Sequence, residues 1–74
     1  VMVKKLDIKS KEQVEKISDL ACHTPYEVWL STDTVMLDAR SLLGLYALIG
    51  KRVNVVAEDS VAPKSLDRLV AKMI

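Results

Sequence analysis

The spacing of apolar residues alternates along this chain between a repeat of two and a repeat of three to four. A repeat of two is typical of a half-buried strand, and a repeat of 3.6 is typical of an amphipathic helix. The changes follow one another within 74 residues, and a chain of this length supports only one core. The pattern therefore predicts a single mixed α/β domain, residues 1–74, in which every element shares that core.

Strand-like segments occur at four places. Residues 2–8 have strand character although Lys4 interrupts the alternation, residues 26–38 are expected to form an antiparallel hairpin, and RVNVVAE, residues 52–58, alternates cleanly. Trp29 lies on the hairpin face opposite the core, where it belongs either to a ligand-stacking site or to a second packing surface. The residues expected on the core side of the sheet are Leu6, Ile8, Val28, Leu30, Val35, Leu37, Val53 and Val55.

Helix signals separate these strands. Ser10 and Gln13 form an S-x-x-Q capping box that predicts a helix over residues 11–22, and Ser41 is placed to cap a helix of about two turns that Gly50 ends. Pro63 suits the first turn of a third helix. Its apolar stripe is expected to comprise Leu66, Leu69, Val70, Met73 and Ile74.

The predicted order of elements is β-α-β-β-α-β-α. For one compact core, this order implies an open-faced α/β sandwich, a four-stranded antiparallel sheet with three helices on one face. Neither an internal repeat nor a linker occurs in the sequence, so the sandwich accounts for the whole sequence.

Composition excludes several classes of partner. Eleven basic and ten acidic residues give a formal net charge of +1, and there are one Trp, two Tyr and no Phe. Because the numbers of positive and negative charges are nearly equal, the chain has no strong positive field that would attract nucleic acid. Three aromatic residues are too few for a sheet that binds RNA by stacking bases on aromatic rings. The longest apolar run, residues 42–49, is far below the roughly 20 residues of a membrane span. We expect no nucleic-acid partner and no membrane partner.

Cys22 and His23 are the only cysteine and the only histidine. A metal site would need further ligands, and a catalytic site would need a carboxylate that orients the histidine. The sequence has neither at a recognisable spacing from these two residues, so we expect no metal site, no cofactor and no catalytic role. A lone cysteine forms no internal disulfide, and a small domain without disulfides is typical of the cytoplasm.

The segment DARSLLGLYALIG, residues 38–50, resembles HPr, the histidine-containing phosphocarrier of the bacterial sugar phosphotransferase system. The corresponding family segment is similar to N-A-K-S-I-M-G-V-M-S-L-G. The likeness extends weakly over the full chain and implies the HPr fold. The positions that carry it are Ala39, Arg40, Ser41, Leu42, Leu43, Gly44, Leu45 and Leu48.

This sequence departs from the family at the phosphorylated loop G-L-H-x-R-P, whose part L-H-x-R-P falls on residues 9–13 by an ungapped count from Ser41. Ser10 takes the place of the histidine, Glu12 of the arginine and Gln13 of the proline. Serine has no imidazole nitrogen to accept a phosphoryl group, and Glu12 would repel one. We therefore expect that the carrier site is lost. Ser10 is interpreted as a helix cap, with the alternative that it carries phosphate.

Ser41 has two compatible interpretations. As a structural residue it caps the second helix; by resemblance it is the site that an HPr kinase phosphorylates, which would add roughly −2 charge beside that helix. Aspartate and arginine at positions 38 and 40 are expected to be exposed charges that frame it.

The helix after Ser41 is apolar nearly all round, more than one buried stripe requires. The resemblance implies that it docks partner proteins, an HPr kinase or a transcription regulator among them, through Arg40, Leu42, Leu43 and Tyr46. The alternative is that this helix only packs, with a core formed by Leu45, Leu48 and Ile49.

The function expected from these observations is that of a non-enzymatic HPr-like regulatory domain that binds proteins and is regulated at Ser41. Two alternatives stay open. One is a phosphocarrier that uses another acceptor, Ser10 or His23. The other is a ferredoxin-like ligand-binding module, because that class has a similar order of strands and helices.

Overall fold

The computed structural model describes residues 2–74 and confirms the predicted order of elements. Val1, the first residue of the predicted domain, lies outside this range. The bounds are β1 Met2–Asp7, α1 Lys11–Cys22, β2 Val28–Ser31, β3 Met36–Asp38, α2 Leu42–Tyr46, β4 Arg52–Ala57 and α3 Pro63–Met73.

The four strands form one antiparallel sheet in the order β1-β4-β2-β3. β4 is central: it pairs with β1 through Leu6 opposite Val53, and with β2 through Leu30 opposite Val55. β3 extends the sheet at the other edge, with Leu37 opposite Leu30. β1 and β3 are therefore the edge strands.

One face of the sheet carries the core. Leu30, Val53 and Val55 point to this face and are at most 2% exposed, and they form one cluster with the buried residues of all three helices. Complete burial of such a side chain contributes about 1.5–3 kcal/mol. This cluster confirms the open-faced sandwich, a two-layer arrangement in which the helices cover one face of the sheet.

The start of α1 is fixed by polar contacts. Ser10 Oγ accepts a hydrogen bond from the Gln13 backbone N–H at 3.1 Å, as a capping serine does. The Gln13 side chain differs from a standard capping box, because its Oε1 accepts from the Lys9 N–H and its Nε2 donates to the Asp7 carbonyl, both at 2.8 Å. Gln13 is buried by these contacts and ties the end of β1 to α1.

The turn between α2 and β4 uses glycine for its backbone conformation. Gly50 has a φ of 88°, which a residue with a Cβ adopts at a cost. Its N–H donates to the Ile8 carbonyl at 2.7 Å, and the Ile8 N–H donates to the Lys51 carbonyl at 3.0 Å. The segment after β1 and the segment after α2 are thereby held side by side.

Lys4, which interrupts the alternation of the first strand, forms an ion pair with α3. Lys4 points to the same face as Leu6 but lies on the edge strand, where its Nζ pairs with Asp67 of α3 at 2.8 Å. An edge position lets the charged end reach solvent while the stem crosses apolar surface. The interruption is therefore compatible with a strand that is covered by a helix.

Three local expectations are wrong. Tyr26 precedes β2, which begins only at Val28, and its half-buried side chain packs against the core from the loop. Val35 is exposed and lies before β3, because the turn occupies more of the hairpin than the alternation indicated. Ile74 follows the last helical residue and is exposed, so it does not belong to the buried stripe of α3.

Candidate protein-docking surface

The residues predicted for docking and the predicted regulatory Ser41 form one region around the start of α2, here called the α2 surface: Arg40, Ser41, Leu42, Leu43 and Tyr46. α2 is a helix of five residues. It is held from below by Leu45 and Leu48, which are at most 3% exposed. Gly44 allows a close approach to the sheet, since a Cβ there would lie 3.3 Å from Leu37 Cδ1.

Apolar side chains face solvent on this surface. Leu43 is 84% exposed, and Leu42 is also exposed. Ile49 joins them at 37% exposure, so the alternative that placed it in the core with Leu45 and Leu48 is wrong for this residue. Leu42, Tyr46 and Ile49 are spaced i, i+4, i+7, and this spacing would have identified Ile49 as part of the same face.

Tyr46 is anchored on this surface. It is half-buried and packs against the core, and its hydroxyl donates to Glu15 Oε2 of α1 at 3.2 Å. Burial, followed by the contact with the Glu15 carboxylate, raises the pKa of the Tyr46 phenol above its ordinary value. Tyr46 therefore links α1 to α2 and supplies a fixed edge to the exposed leucines.

Arg40 is bound to two carboxylates rather than free. Its guanidinium holds Asp38 through two hydrogen bonds of 3.0 and 2.7 Å, and Nη2 also reaches Glu27 Oε2 at 3.3 Å. The guanidinium and then the backbone N–H of Arg40 lower the pKa of the Asp38 carboxyl to about 2. The pair is a fixed frame beside Ser41, which refines the prediction of two exposed framing charges.

Ser41 precedes α2, but its hydroxyl makes no capping hydrogen bond. The prediction of a cap is therefore wrong. Ser41 has a ψ of 83°, whereas the capping Ser10 has an extended ψ of 161°, and a capping serine typically has the extended conformation. The Ser41 backbone is fixed by an N–H bond to the Asp38 carbonyl at 2.9 Å. Its exposed hydroxyl is thus not used to stabilise the helix.

Ser10 and His23 lie at opposite ends of α1. A helix of this length separates its ends by roughly 18 Å. The Ser10 hydroxyl is engaged as the cap, and the exposed Glu12 lies in the first turn. The His23 Nδ1 lies 2.8 Å from the Asp19 carbonyl oxygen. The structure therefore separates the only histidine of the sequence from Ser10, the residue predicted at the carrier position.

Cys22 and His23 lie at the end of α1. Within residues 2–74, no group of three or more potential side-chain ligands is placed to hold a metal ion. Cys22 is exposed and lines an open depression of about 270 Å³ with Tyr26, Glu27 and Arg40. The guanidinium in this depression is already paired with carboxylates, so it does not offer a free cationic site for an anionic ligand.

Comparison with solved structures identifies the architecture. HPr-C-His from Thermoanaerobacter tengcongensis superposes with a TM-score of 0.75 at 20% sequence identity, and the match covers 99% of this chain and 91% of that one. The phosphocarrier protein HPr from Bacillus anthracis gives a TM-score of 0.72 at 19% identity, with 96% and 94% covered. The chain has the HPr fold.

At this level of identity the HPr likeness establishes the fold, and function has to be argued from the chain's own residues. No family model matches the sequence, and no curated protein sequence matches it. Among residues 2–74, no helix is long and apolar enough to cross a bilayer.

The serines that precede α1 and α2 provide a matched pair of stability variants. Ser10→Ala should lower the free energy of unfolding by about 1 kcal/mol, because it removes a cap hydrogen bond. Ser41→Ala should change it by less than about 0.5 kcal/mol, because that hydroxyl caps nothing. Urea denaturation of both variants and the parent measures the difference. Equal losses in the two variants would contradict the assigned geometry.

The Asp38–Arg40 pair should make stability depend on acid pH. An unfolded aspartate titrates near pH 3.9, whereas folded Asp38 titrates at about pH 2, so the pair stabilises the fold above pH 4 and ceases to do so as the pH falls towards 2. Asp38→Asn should therefore be less stable than the parent at pH 7, and the two should converge between about pH 4 and about pH 2.

Denaturant unfolding measured across that range tests the convergence. Arg40→Gln is the matched control, because it removes the other partner of the same contact and should show the same dependence on pH. A difference from the parent that stays constant down to pH 2 would show that the contact does not perturb Asp38.

Proposed function

We propose that this HPr-fold domain is a non-enzymatic regulatory protein that binds other proteins through the α2 surface. The observation that carries the proposal is the exposure of Leu43, with Leu42 and Ile49 beside it, on a helix whose buried side already holds it in place. Removing one such side chain from water contributes about 1.5–3 kcal/mol. A partner that covers the three would gain binding energy without a change in the fold.

The absence of a carrier function is part of this proposal. The N-cap of α1 is a serine whose hydroxyl is engaged with Gln13, and Glu12 adds negative charge within the first turn. A phosphoryl group bound there would meet like charge and would have to displace the cap. The solved relative from Bacillus anthracis is named a phosphocarrier, and we infer that the present chain keeps its architecture without that activity.

Regulation is assigned to Ser41. Its hydroxyl is exposed and is not required by the helix, so a phosphate on this oxygen would remove no structural contact. The added charge of roughly −2 would lie at the border of an apolar docking surface and would change partner binding far more than stability. An HPr kinase is the modifying enzyme that we propose, and a transcription regulator is the proposed partner, with the cytoplasm as their compartment.

The lost carrier site predicts a negative labelling result. Incubation with labelled phosphoenolpyruvate and the general enzyme of the sugar phosphotransferase system should leave this chain unlabelled, whereas an HPr with its histidine should be labelled in the same tube. Acid quenching and mass spectrometry distinguish the acid-labile phosphohistidine from phosphoserine. An acid-labile phosphate on His23 would favour the alternative of a phosphocarrier with another acceptor.

The α2 surface predicts which variants lose recognition. Incubation with an HPr kinase and ATP should place phosphate on Ser41, and Ser41→Ala should abolish it. Leu43→Ser should reduce the catalytic efficiency of this phosphorylation by about 10-fold, as loss of a central apolar contact does, with no change in the unfolding midpoint. Ile74→Ser is the matched control, because Ile74 is also highly exposed but lies at the end of α3.

Mass spectrometry locates the phosphate, and initial rates of phosphorylation compare the variants with the parent. If Ser41 stays unmodified and both apolar variants behave as the parent does, the α2 surface is not a recognition surface for this enzyme and the regulatory proposal fails.

A further inference from the structure

The face of the sheet that the helices leave uncovered has its own pattern. The strand register places two adjacent rows of four residues on it, and the pair of Asp7 with Arg52 beyond them. The first row, from β1 across to β3, is Val3, Val56, Trp29 and Asp38, and the second is Lys5, Asn54, Ser31 and Met36. The sheet separates this open face from the leucines of the α2 surface, and Arg40 lies at the border of the two, where it pairs with Asp38.

Apolar side chains are concentrated in this open face. Val56 is only 7% exposed although it is not part of the core cluster, and its cross-strand neighbours are Val3 and the half-buried Trp29. Val3 is 51% exposed and Met36 is 59% exposed. A contiguous apolar row on an otherwise uncovered sheet is the kind of surface that marks an interface. It supports the second of the two predictions for Trp29, a second packing surface.

Charge differs between the two halves of the open face. Lys5 lies at the β1 edge, where its Nζ donates to Asn54 Oδ1 at 3.1 Å. The β3 edge carries the cluster of Glu27, Asp38 and Arg40, in which two carboxylates surround one guanidinium and leave a net charge of −1. Asp7 and Arg52 share this face with Lys5 and pair with each other at 3.7 Å between Arg52 Nε and Asp7 Oδ1, so the half formed by β1 and β4 keeps a net charge of +1. The two halves of the open face therefore have opposite charge, which favours a self-complementary contact.

We propose that the open face binds a second copy of this chain, with the two-fold axis parallel to the strands between β4 and β2. This rotation places Val56 of each copy over Trp29 of the other, and it brings each β1 edge over the other β3 edge. Lys5 then lies opposite Met36 and beside the net negative Asp38 cluster of the second copy. Two sheets packed face to face in this way form the interior of a β-sandwich, with the helices outside.

The size of the face indicates a weak dimer. The Cα trace measures 28 × 24 × 17 Å, and the shortest dimension suits a sheet and one helix layer packed about 10 Å apart. The sheet itself has four strands of at most six residues, so at about 3.3 Å per residue and about 4.8 Å between strands its face covers roughly 400 Å² per copy, or about 800 Å² in total, which is the size of a weak and transient contact. We expect dissociation in the micromolar range or above, so that the dimer responds to protein concentration.

Sedimentation equilibrium from about 1 µM to about 1 mM tests the association directly. Trp29 is the only tryptophan of the chain, so its fluorescence reports on this face alone. We expect a rise in mass from monomer to dimer with concentration and a parallel blue shift of the Trp29 emission. A chain that stays monomeric throughout, or that dimerises with no change in Trp29 emission, overturns the proposal.

Variants of Met36 test the proposed register. Met36→Lys would face Lys5 of the second copy and should weaken the dimer, whereas Met36→Glu would face the same lysine with opposite charge and should bind at least about 10-fold more tightly than Met36→Lys. In the Lys5→Glu background the order should reverse. All of these side chains are exposed in the monomer, and equal unfolding midpoints would show that folding is not affected.

Leu43→Ser separates this inference from the proposed function. It should leave dimerisation unchanged, because Leu43 lies on the α2 surface. If Leu43→Ser abolishes the dimer while the Met36 and Lys5 variants do not, the copies associate through the α2 surface and the open-face proposal is wrong. Equal weakening by Met36→Lys and Met36→Glu in both backgrounds would also reject the two-fold arrangement.

Discussion

The pairing of β4 with β1 on one side and β2 on the other is the constraint on which the rest of the structure depends. Met2 lies opposite Ala57 and Asp7 opposite Arg52, so the pairing joins segments far apart in sequence. Closing such a loop costs conformational entropy, which only burial can offset. Val53, Val55 and Ala57 provide it, because all three are at most 2% exposed in the core. Once β4 is central, the helices have one face to cover.

The α2 surface follows from that arrangement. The turn after α2 connects that helix to β4. Backbone hydrogen bonds between Ile8 and residues 50–51 fix the position of this turn. Leu45 and Leu48 fill the space above the sheet. A helix of five residues has no second layer to cover its other side, so the remaining leucines face solvent. The exposed apolar surface is thus a consequence of how a short helix closes this fold.

The domain has two potential binding surfaces on opposite sides of the sheet, and their chemistry differs. The α2 surface combines exposed leucines with a serine whose hydroxyl the fold does not use, a combination suited to regulation by a charged group. The open face is built from strand side chains that cannot move independently, because the ladder fixes their spacing. A pair of copies joined at the open faces would present both α2 surfaces outward, so self-association and partner binding are compatible.

The sequence by itself determined the order of elements, the extent of α1 and the composition of most of the core. These features depend on periodicity and on local chemistry, such as the Ser10–Gln13 cap and the glycine at position 50. It also located the α2 surface, because an apolar excess on a short helix is visible as a pattern. Edges of elements were less well determined, as Tyr26 and Val35 illustrate, because a strand ends where its partner ends and the partner is remote in sequence.

Only the tertiary structure decided how individual side chains are used. Two serines in similar cap positions differ because Ser10 has an extended backbone and Ser41 does not; the Ser41 N–H is bonded to the carbonyl of Asp38, the last residue of β3. Arg40 is committed to carboxylates on β3 and on the loop before β2, which a linear pattern does not show. Val56 is buried by a valine and a tryptophan from two other strands. The contact of Arg40 with Glu27 and the neighbours of Val56 join residues remote in sequence that only folding brings together.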